Sequence, residues 1–288
     1  MTQSSGGETG VKRGGPLGAD FSVRAASAVV MAVAALGFAW VVGFPFLCFW
    51  FAASVGVVWE WHRLVGGERI VLRVLAGAVA LLAASSFGLR SEGLYAALAL
   101  IAGAAATGAL ADRDHRLAAA AGVFYAGAIA AGTNLLRASP EYGLAAILWV
   151  FGVVWGTDVM AYVGGRRIGG PKLWPRVSPG KTWSGTIVGV GAGALIGAMV
   201  AWIAAPGGAS LVRLASLGVI VAAASQAGDL FESALKRRAG VKDSSHLIPG
   251  HGGLMDRLDG FTVAIIIAVA IAYMRPHGHW IASALFVG

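Results

Sequence analysis

The chain has 288 residues, of which 57% are hydrophobic and only 12% are charged, and its mean hydropathy is +0.74. A soluble domain is about 45–50% apolar and about 25% charged, so this chain lacks the polar side chains that a soluble surface needs. Its formal net charge is +8. The one cysteine, Cys48, excludes an intrachain disulfide and a cysteine-based metal site. We therefore predict an all-α, polytopic integral membrane protein.

Three regions follow from composition along the chain. Residues 1–24 are polar and rich in glycine at their start, and we expect a disordered cytoplasmic tail. Residues 25–143 are expected to form amino-terminal transmembrane helices. Residues 144–288 are expected to form a catalytic transmembrane region with two cytoplasmic loops, because the long charged loops fall there.

Nine stretches are apolar and long enough to cross a bilayer, which takes about 20 residues of helix. The first is too long for the apolar part of a signal peptide, so we expect an uncleaved helix. In the seventh, glycine recurs every fourth residue from Gly185 to Gly197, which predicts a helix-packing groove. Residues 280–288 are too short to span, and we expect Trp280 and Phe286 in the outer interface. The nine stretches lie near residues 25–43, 44–61, 72–89, 93–111, 117–136, 144–164, 185–205, 211–235 and 260–274.

The basic residues predict the orientation. Of the 22 Lys and Arg, 18 lie in the amino-terminal segment and in the loops after the second, fourth, sixth and eighth stretches. The opposite side holds only Arg90, Arg137, Arg213 and Arg275. Because basic loops stay cytoplasmic, we expect a cytoplasmic amino terminus and an inner-membrane protein whose active site faces the cytoplasm. The positive charge is then explained by topology and phosphate handling, and a nucleic-acid partner is excluded.

The first long loop is glycine-rich and basic. Its Gly180-Lys181-Thr182 run is similar to a P-loop, but Pro175 stands where that motif needs its first glycine, and no strand precedes it. Two interpretations stay open, a patch for lipid headgroups and a phosphate-binding loop. Its five cations are Arg166, Arg167, Lys172, Arg176 and Lys181.

Acidic residues near the second long loop indicate a functional site. On a helix, Asp229, Glu232 and Ser233 share one face with Lys236 and Arg237. Acids inside a span are costly and usually face a polar cavity, a partner or an ion. The alternative is a neutralised Glu232–Lys236 pair that only ends the helix, which leaves Asp229 without a partner.

A second pair of acids opens the last stretch. Asp256 and Asp259 share one face of a helix start, where carboxylates also suit the helix dipole. As oxygen ligands they suit Mg²⁺, which takes one or two carboxylates plus substrate phosphates. His246 and His251 lack the further ligands that zinc needs.

Two other acids lie within predicted spans. Asp158, in the sixth, adds a third intramembrane acid on the cytoplasmic side. These acids and the two basic loops together predict a site for a metal-bound polyphosphate beside lipid. Glu60 and His62, in contrast, are interpreted as an interfacial helix end.

Residues 233–259 resemble the signature of phosphatidate cytidylyltransferases, the CDP-diacylglycerol synthases. The match runs from Ser233 through Lys236-Arg237 and Lys242-Asp243 to His251-Gly252-Gly253 and Asp256-Arg257-Leu258-Asp259. Ser245 departs from it, because that family commonly has glycine there. Flanking blocks at residues 158–166, 178–185 and 228–233 also resemble the family, so the likeness covers roughly residues 155–260.

The resemblance implies conversion of phosphatidic acid and CTP to CDP-diacylglycerol and pyrophosphate in phospholipid biosynthesis. It implies catalytic roles for Asp229, Lys236, Asp256 and Asp259. Mg²⁺ is the implied cofactor, held by Asp229, Asp243, Asp256 and Asp259. The implied substrate-binding residues are Arg166, Lys181, Ser233, Arg237, Lys242, His251, Gly252, Gly253 and Arg257.

Other functions stay open at this point. A CTP-dependent polyprenol or lipid kinase would release CDP instead of pyrophosphate. An ion-coupled transporter would use the buried acids as coupling sites, although we find no internal repeat of the kind that many transporters show. The sequence does not decide whether a monovalent cation assists the reaction or whether the chain forms a homodimer.

Overall fold

The computed structural model describes residues 17–276 and 278–287, so residues 1–16 of the predicted tail lie outside the described chain. The described chain is almost entirely helical, with one short antiparallel hairpin made of β1 (Lys172–Trp174) and β2 (Ser178–Thr182). The helices are α1 (Leu17–Trp40), α2 (Phe44–Val65), α3 (Ile70–Leu89), α4 (Gly93–Leu110), α5 (Arg116–Gly127), α6 (Thr133–Arg137), α7 (Gly143–Ile168), α8 (Trp183–Ala204), α9 (Leu211–Arg238), α10 (Met255–Tyr273) and α11 (Ser283–Phe286).

The predicted all-α polytopic membrane architecture is confirmed. In the described part of the chain, eight helices are long and apolar enough to cross a membrane, the fifth being a composite from Arg113 to Arg137. A π-helical turn at Ala128–Gly132 joins α5 to α6 within that composite. The predicted ninth span corresponds to α10, which has 19 residues and carries three charges near its start. The count of nine and the orientation stay predictions.

Two sequence expectations differ from the structure at the chain ends. Helix α1 begins at Leu17, so residues 17–24 are helical and do not belong to the predicted tail. Near the other end, Phe286 is buried and stacks on Tyr142 with ring centroids 5.0 Å apart. Phe286 therefore packs against the protein and not in the outer interface, because α11 turns its apolar side chains inward. Trp280 is half-buried.

Helices α7 and α8 pack backbone to backbone along the predicted glycine stripe. A Cβ atom at Gly189 would lie 2.7 Å from the carbonyl oxygen of Thr157, and one at Gly193 would lie 2.1 Å from Thr157 Oγ1. Only glycine permits so close an approach. The predicted packing groove is confirmed, and it fixes the position of α7, which carries Asp158.

An aromatic cluster ties together the helices around the site. Trp50 of α2 stacks on Phe261 of α10 with centroids 5.0 Å apart, and Phe261 lies 5.5 Å from Phe151 of α7. Such pairs contribute about 0.5–1.5 kcal/mol each beyond the burial of their area. The cluster holds α2, α7 and α10 in fixed relation to one another.

Helix α1 is the least packed of the spans. Its outward residues Val29 and Val33 are 60% and 64% exposed, as expected for a face that contacts lipid. In the first half of α1, Ser27 Oγ donates to the carbonyl oxygen of Pro249 at 3.0 Å. Helix α1 therefore stands beside the bundle and touches the turn that precedes α10.

Candidate active site

A polar cavity of about 760 Å³ lies where α7, α8, α9, α10 and the hairpin meet. The hairpin contributes Lys181, α9 contributes Asp229, and α10 contributes Asp256, Arg257 and Asp259. The charged residues that line it are Asp158, Arg166, Lys172, Lys181, Asp229, Asp256, Arg257 and Asp259. Six of the predicted site residues are therefore brought together in one cavity, namely Arg166, Lys181, Asp229, Asp256, Arg257 and Asp259.

Lys181 connects the hairpin to α9. Its ammonium lies 2.6 Å from Asp229 Oδ2 and 3.1 Å from Gln226 Oε1. The amide nitrogen of Gln226 in turn donates to Asp158 Oδ1 at 3.3 Å. The next residue, Thr182, caps α8 by accepting from the amide of Gly185 at 3.1 Å. The cap and the hairpin together fix Lys181 beside Asp229, and Gln226 connects it to Asp158.

Asp229 and Asp259 lie side by side on neighbouring helices. A Cβ atom at Gly260 would lie 2.7 Å from Asp229 Oδ1, and one at Gly228 would lie 2.7 Å from the carbonyl oxygen of Asp259. The two glycines thus let α9 and α10 approach closely at this level. Two carboxylates consequently face the same cavity, with Lys181 paired to one of them.

Asp256 lines the polar cavity and also belongs to a buried ion-pair cluster. Lys236 contacts Glu232 at 2.7 Å and also forms an ion pair with Asp256 Oδ1. Asp256 Oδ2 accepts from the amides of Gly253 at 2.7 Å and Ser244 at 2.9 Å. Both oxygens are therefore occupied by protein donors, which does not fit the predicted role of Asp256 as a metal ligand. Lys236, 8% exposed, is likewise engaged and does not fit a phosphate contact.

Eight predicted site residues do not line the polar cavity, and four of them lie on or just after α9 away from it. Arg237 is exposed and donates to the carbonyl oxygen of Val241 at 3.0 Å, and Lys242 and Asp243 are exposed in the turn that follows α9. Ser233 is half-buried on α9. Among the residues that the structure describes, no group of three or more His, Cys, Asp and Glu is placed to hold a metal ion. The predicted set of four metal-binding acids is therefore not assembled, because Asp243 lies in an exposed turn and Asp256 is paired.

A second cavity, of about 620 Å³, adjoins the first and is mostly apolar. Its walls come from α1, α2, α7 and α10, with side chains such as Met31, Trp50 and Phe151, and His251 lies at its edge. The two cavities share Asp158, Arg257 and Asp259. The apolar cavity and the polar cavity thus meet at three charged side chains.

Gly252 and Gly253 shape the turn beside the cavities and line neither of them. Gly252 has a φ of +84°, which side chains disfavour, and a Cβ there would lie 2.8 Å from Asp256 Oδ2. Gly253 directs its amide at Asp256, as described above. The amide of Gly253, an implied substrate-binding residue, is thus directed to Asp256.

The interpretation of Glu60 as an interfacial helix end is wrong. Glu60 is fully buried, and its carboxylate accepts from the backbone amides of Leu254 and Met255 at 2.9 and 2.6 Å. His62 is fully buried as well. The signal was present in the sequence, because an acid between two tryptophans inside an apolar stretch needs a partner by the same rule that drew attention to Asp229.

The family model described as the cytidylyltransferase family matches residues 22–275. The chain belongs to the cytidylyltransferase family. It is therefore a nucleotidyltransferase, and the match covers the described residues of both cavities. This membership sets aside the transporter class.

Curated relatives agree with this membership. A phosphatidate cytidylyltransferase of Brucella abortus is 39% identical over 257 residues, which cover 88% of this chain and 93% of that protein. One of Pseudomonas aeruginosa is 36% identical over 270 residues, covering 88% of this chain and 98% of that protein. One of Haemophilus influenzae is 46% identical over 134 residues, covering 44% of this chain and 45% of that protein.

Proposed function

We propose that the chain transfers the cytidylyl group of CTP to phosphatidate, giving CDP-diacylglycerol and pyrophosphate. The observation that carries this proposal is the junction of the two cavities at Asp158, Arg257 and Asp259. A lipid whose phosphate lies at this junction can extend its acyl chains into the apolar cavity. The polar cavity is then left for the triphosphate of a nucleotide. The names of the relatives point to the same lipid substrate.

The reaction joins two anions. A phosphate oxygen of phosphatidate attacks the α-phosphorus of CTP, the bond from that phosphorus to the bridging oxygen breaks, and pyrophosphate leaves. The lipid phosphate is largely ionised near neutral pH, so no strong general base is required. Arg166, Lys181 and Arg257 line the cavity and would hold the phosphates and offset their repulsion, so that catalysis rests on positioning and charge stabilisation.

The donor chemistry around Asp229 and Asp259 fits Mg²⁺. Two carboxylates on neighbouring helices face one cavity, and Mg²⁺ typically combines one or two carboxylates with substrate phosphates. Asp229 and Asp259 would therefore hold the ion. When bound, Mg²⁺ supplies charge neutralisation for the triphosphate and for the departing pyrophosphate.

The cavity is assigned to the cytoplasmic face of an inner membrane. Its four basic lining residues are Arg166 at the end of α7, Lys172 and Lys181 of the hairpin, and Arg257 in the first turn of α10, all in or beside the two segments that are rich in Lys and Arg. Because an excess of Lys and Arg marks cytoplasmic loops, the orientation that keeps these loops inside also opens the polar cavity toward cytoplasmic CTP.

Product analysis with two labels tests the proposal. Purified protein is incubated with phosphatidic acid, Mg²⁺ and CTP labelled either at the α- or at the γ-phosphorus. We expect the α-label in a CDP-lipid and the γ-label in pyrophosphate. Release of CDP with transfer of the γ-label to a lipid alcohol would contradict the proposal and identify a lipid kinase.

The acids of the polar cavity give the matching variants. Asp229→Asn and Asp259→Asn are expected to lower Mg²⁺-dependent turnover at least about 100-fold, because each removes an anionic ligand from the ion that neutralises the phosphates. Asp114→Asn, an exposed acid in a short loop, is the control and should keep normal turnover. Near-normal turnover in both cavity variants across a Mg²⁺ titration would remove the metal assignment.

A further inference from the structure

Glu60 links α2 to the turn that precedes α10. We propose that Glu60 is a positioning residue whose carboxylate fixes the turn at residues 244–255 and thereby places Arg257 and Asp259 at the junction of the two cavities. The inference rests on the proposed function, because it concerns the geometry of the same site. Glu60 itself does not line either cavity, so it acts through the turn.

Both carboxylate oxygens of Glu60 are used, and all their donors come from that one turn. Oε1 accepts from the amide of Leu254 at 2.9 Å and from the hydroxyl of Ser245. Oε2 accepts from the amide of Met255 at 2.6 Å and lies 3.2 Å from the hydroxyl of Ser244. Glu60 has no exposed surface. A buried carboxylate with this many donors holds its partners in one arrangement, since each lost donor leaves the buried charge less well compensated.

These contacts cap α10 from another helix. The first amides of a helix have no intrahelical acceptors, and the capping position Leu254 provides no side-chain cap. Glu60 supplies acceptors for two of these amides and places a negative charge at the positive end of the helix dipole. It thereby sets the rotation and the axial position of the first turns of α10, which carry Arg257 and Asp259.

The cap is connected to the ion-pair cluster. Ser244 Oγ lies 3.2 Å from Glu60 Oε2 and 3.0 Å from Asp256 Oδ2, so one hydroxyl stands between the two carboxylates. Gly253 makes this approach feasible, because a Cβ there would lie 1.9 Å from Ser244 Oγ and 2.6 Å from Glu60 Oε1. Glu60, Ser244 and Asp256 thus form one continuous polar connection from α2 to α10.

A positioning role predicts a kinetic change that a purely structural role does not. Arg166 of α7 and Lys181 of β2 do not belong to this turn and still bind the nucleotide when the turn shifts. Misplacement of reacting groups lowers kcat, by about 100-fold for a displacement of about 1 Å. Loss of Glu60 should therefore lower kcat while the KM for CTP changes little.

Glu60→Gln is the test variant, because it keeps the shape but points an amide NH₂ at backbone donors. Glu68→Gln is the matched control, since Glu68 is exposed just beyond the same end of α2. We expect kcat of Glu60→Gln to fall at least about tenfold with KM for CTP within about threefold. We also expect faster hydrogen exchange confined to residues 244–258, and the control should resemble the wild type in both measurements.

Two results would overturn the inference: a kcat within about twofold of wild type in folded Glu60→Gln, or unchanged exchange in residues 244–258. If Glu60→Gln does not fold, Ser245→Ala replaces it, since it removes one of the donors; kcat at least about threefold lower with faster exchange supports the role, and wild-type values refute it. A wild-type protein that makes no CDP-lipid would contradict the proposed function, whereas the exchange measurement tests Glu60 without turnover.

Discussion

Lys236 and Asp256 form a buried ion pair between the end of α9 and the first turn of α10. Glu232, one turn earlier on α9, contacts the same ammonium at 2.7 Å. The lysine therefore stands between two carboxylates from different parts of the fold. This relationship explains how two helices that carry several acids can pack together, because the cation offsets the repulsion at their contact.

Removing this lysine should destabilise the protein more than it alters substrate binding. Lys236→Met leaves Glu232 and Asp256 buried without their shared cation, and breaking one side of a buried ion pair costs about 3–5 kcal/mol. We expect a clearly lower thermal midpoint in detergent. Adding Asp256→Asn to Lys236→Met should cost much less than the sum of the single changes, because the partners are coupled. Additive losses in this double-mutant cycle would show that the pair is not formed.

The apolar cavity predicts a selective effect on the lipid substrate. Ala35 lines this cavity on α1, whereas Val33 on the same helix is 64% exposed to the lipid side. Ala35→Trp should raise the KM for phosphatidate about tenfold, because the indole fills space that acyl chains need, and leave the KM for CTP unchanged. Val33→Trp, with equal bulk on the opposite face, should change neither constant. Equal behaviour of the two variants would exclude the cavity as the acyl-chain site.

Packing between α7 and α8 gives a stability prediction with an internal control. A Cβ at Gly193 would lie 2.7 Å from the backbone nitrogen of Thr157, so Gly193→Ala forces the helices apart at a cost of about 1–3 kcal/mol. A Cβ at Gly191 would have nothing within 4 Å, so Gly191→Ala should keep or slightly raise stability, since alanine favours helix by about 1 kcal/mol. Thermal unfolding in detergent compares the two. A Gly193→Ala variant as stable as Gly191→Ala would contradict this packing.

The elements that sequence predicted well are those with a local signal. The lengths of the apolar stretches place nearly every helix within a few residues, and the stripe at Gly185–Gly197 announces a close helix contact. The cost of charge in a membrane marks Asp229 as a candidate site residue, and the spacing of Asp256 and Asp259 at a helix start marks Asp259. The same rule marks Asp158 but assigns it no ligand or catalytic role, whereas in the structure it lines both cavities and is linked to Lys181 through Gln226 of another helix.

The features that the sequence did not predict depend on contacts between segments that are far apart in the chain. Glu60 meets a turn that is 184–195 residues away in the chain, and no local pattern encodes that distance. Lys242 and Asp243 stand inside the family signature, yet the exposed turn after α9 keeps both out of the polar cavity. Proximity in sequence therefore overstated the number of acids that could share one metal ion.

The loose packing of α1 affects how a lipid substrate reaches the apolar cavity. One face of α1 lines the apolar cavity and the other faces outward, so a single helix, about 10 Å across, separates that cavity from the surrounding bilayer. A lipid substrate of the proposed reaction needs to travel no farther than the width of this helix, and its acyl chains never have to enter water. Turnover would then respond to the surface density of the lipid in the membrane and not to its concentration in the cytoplasm.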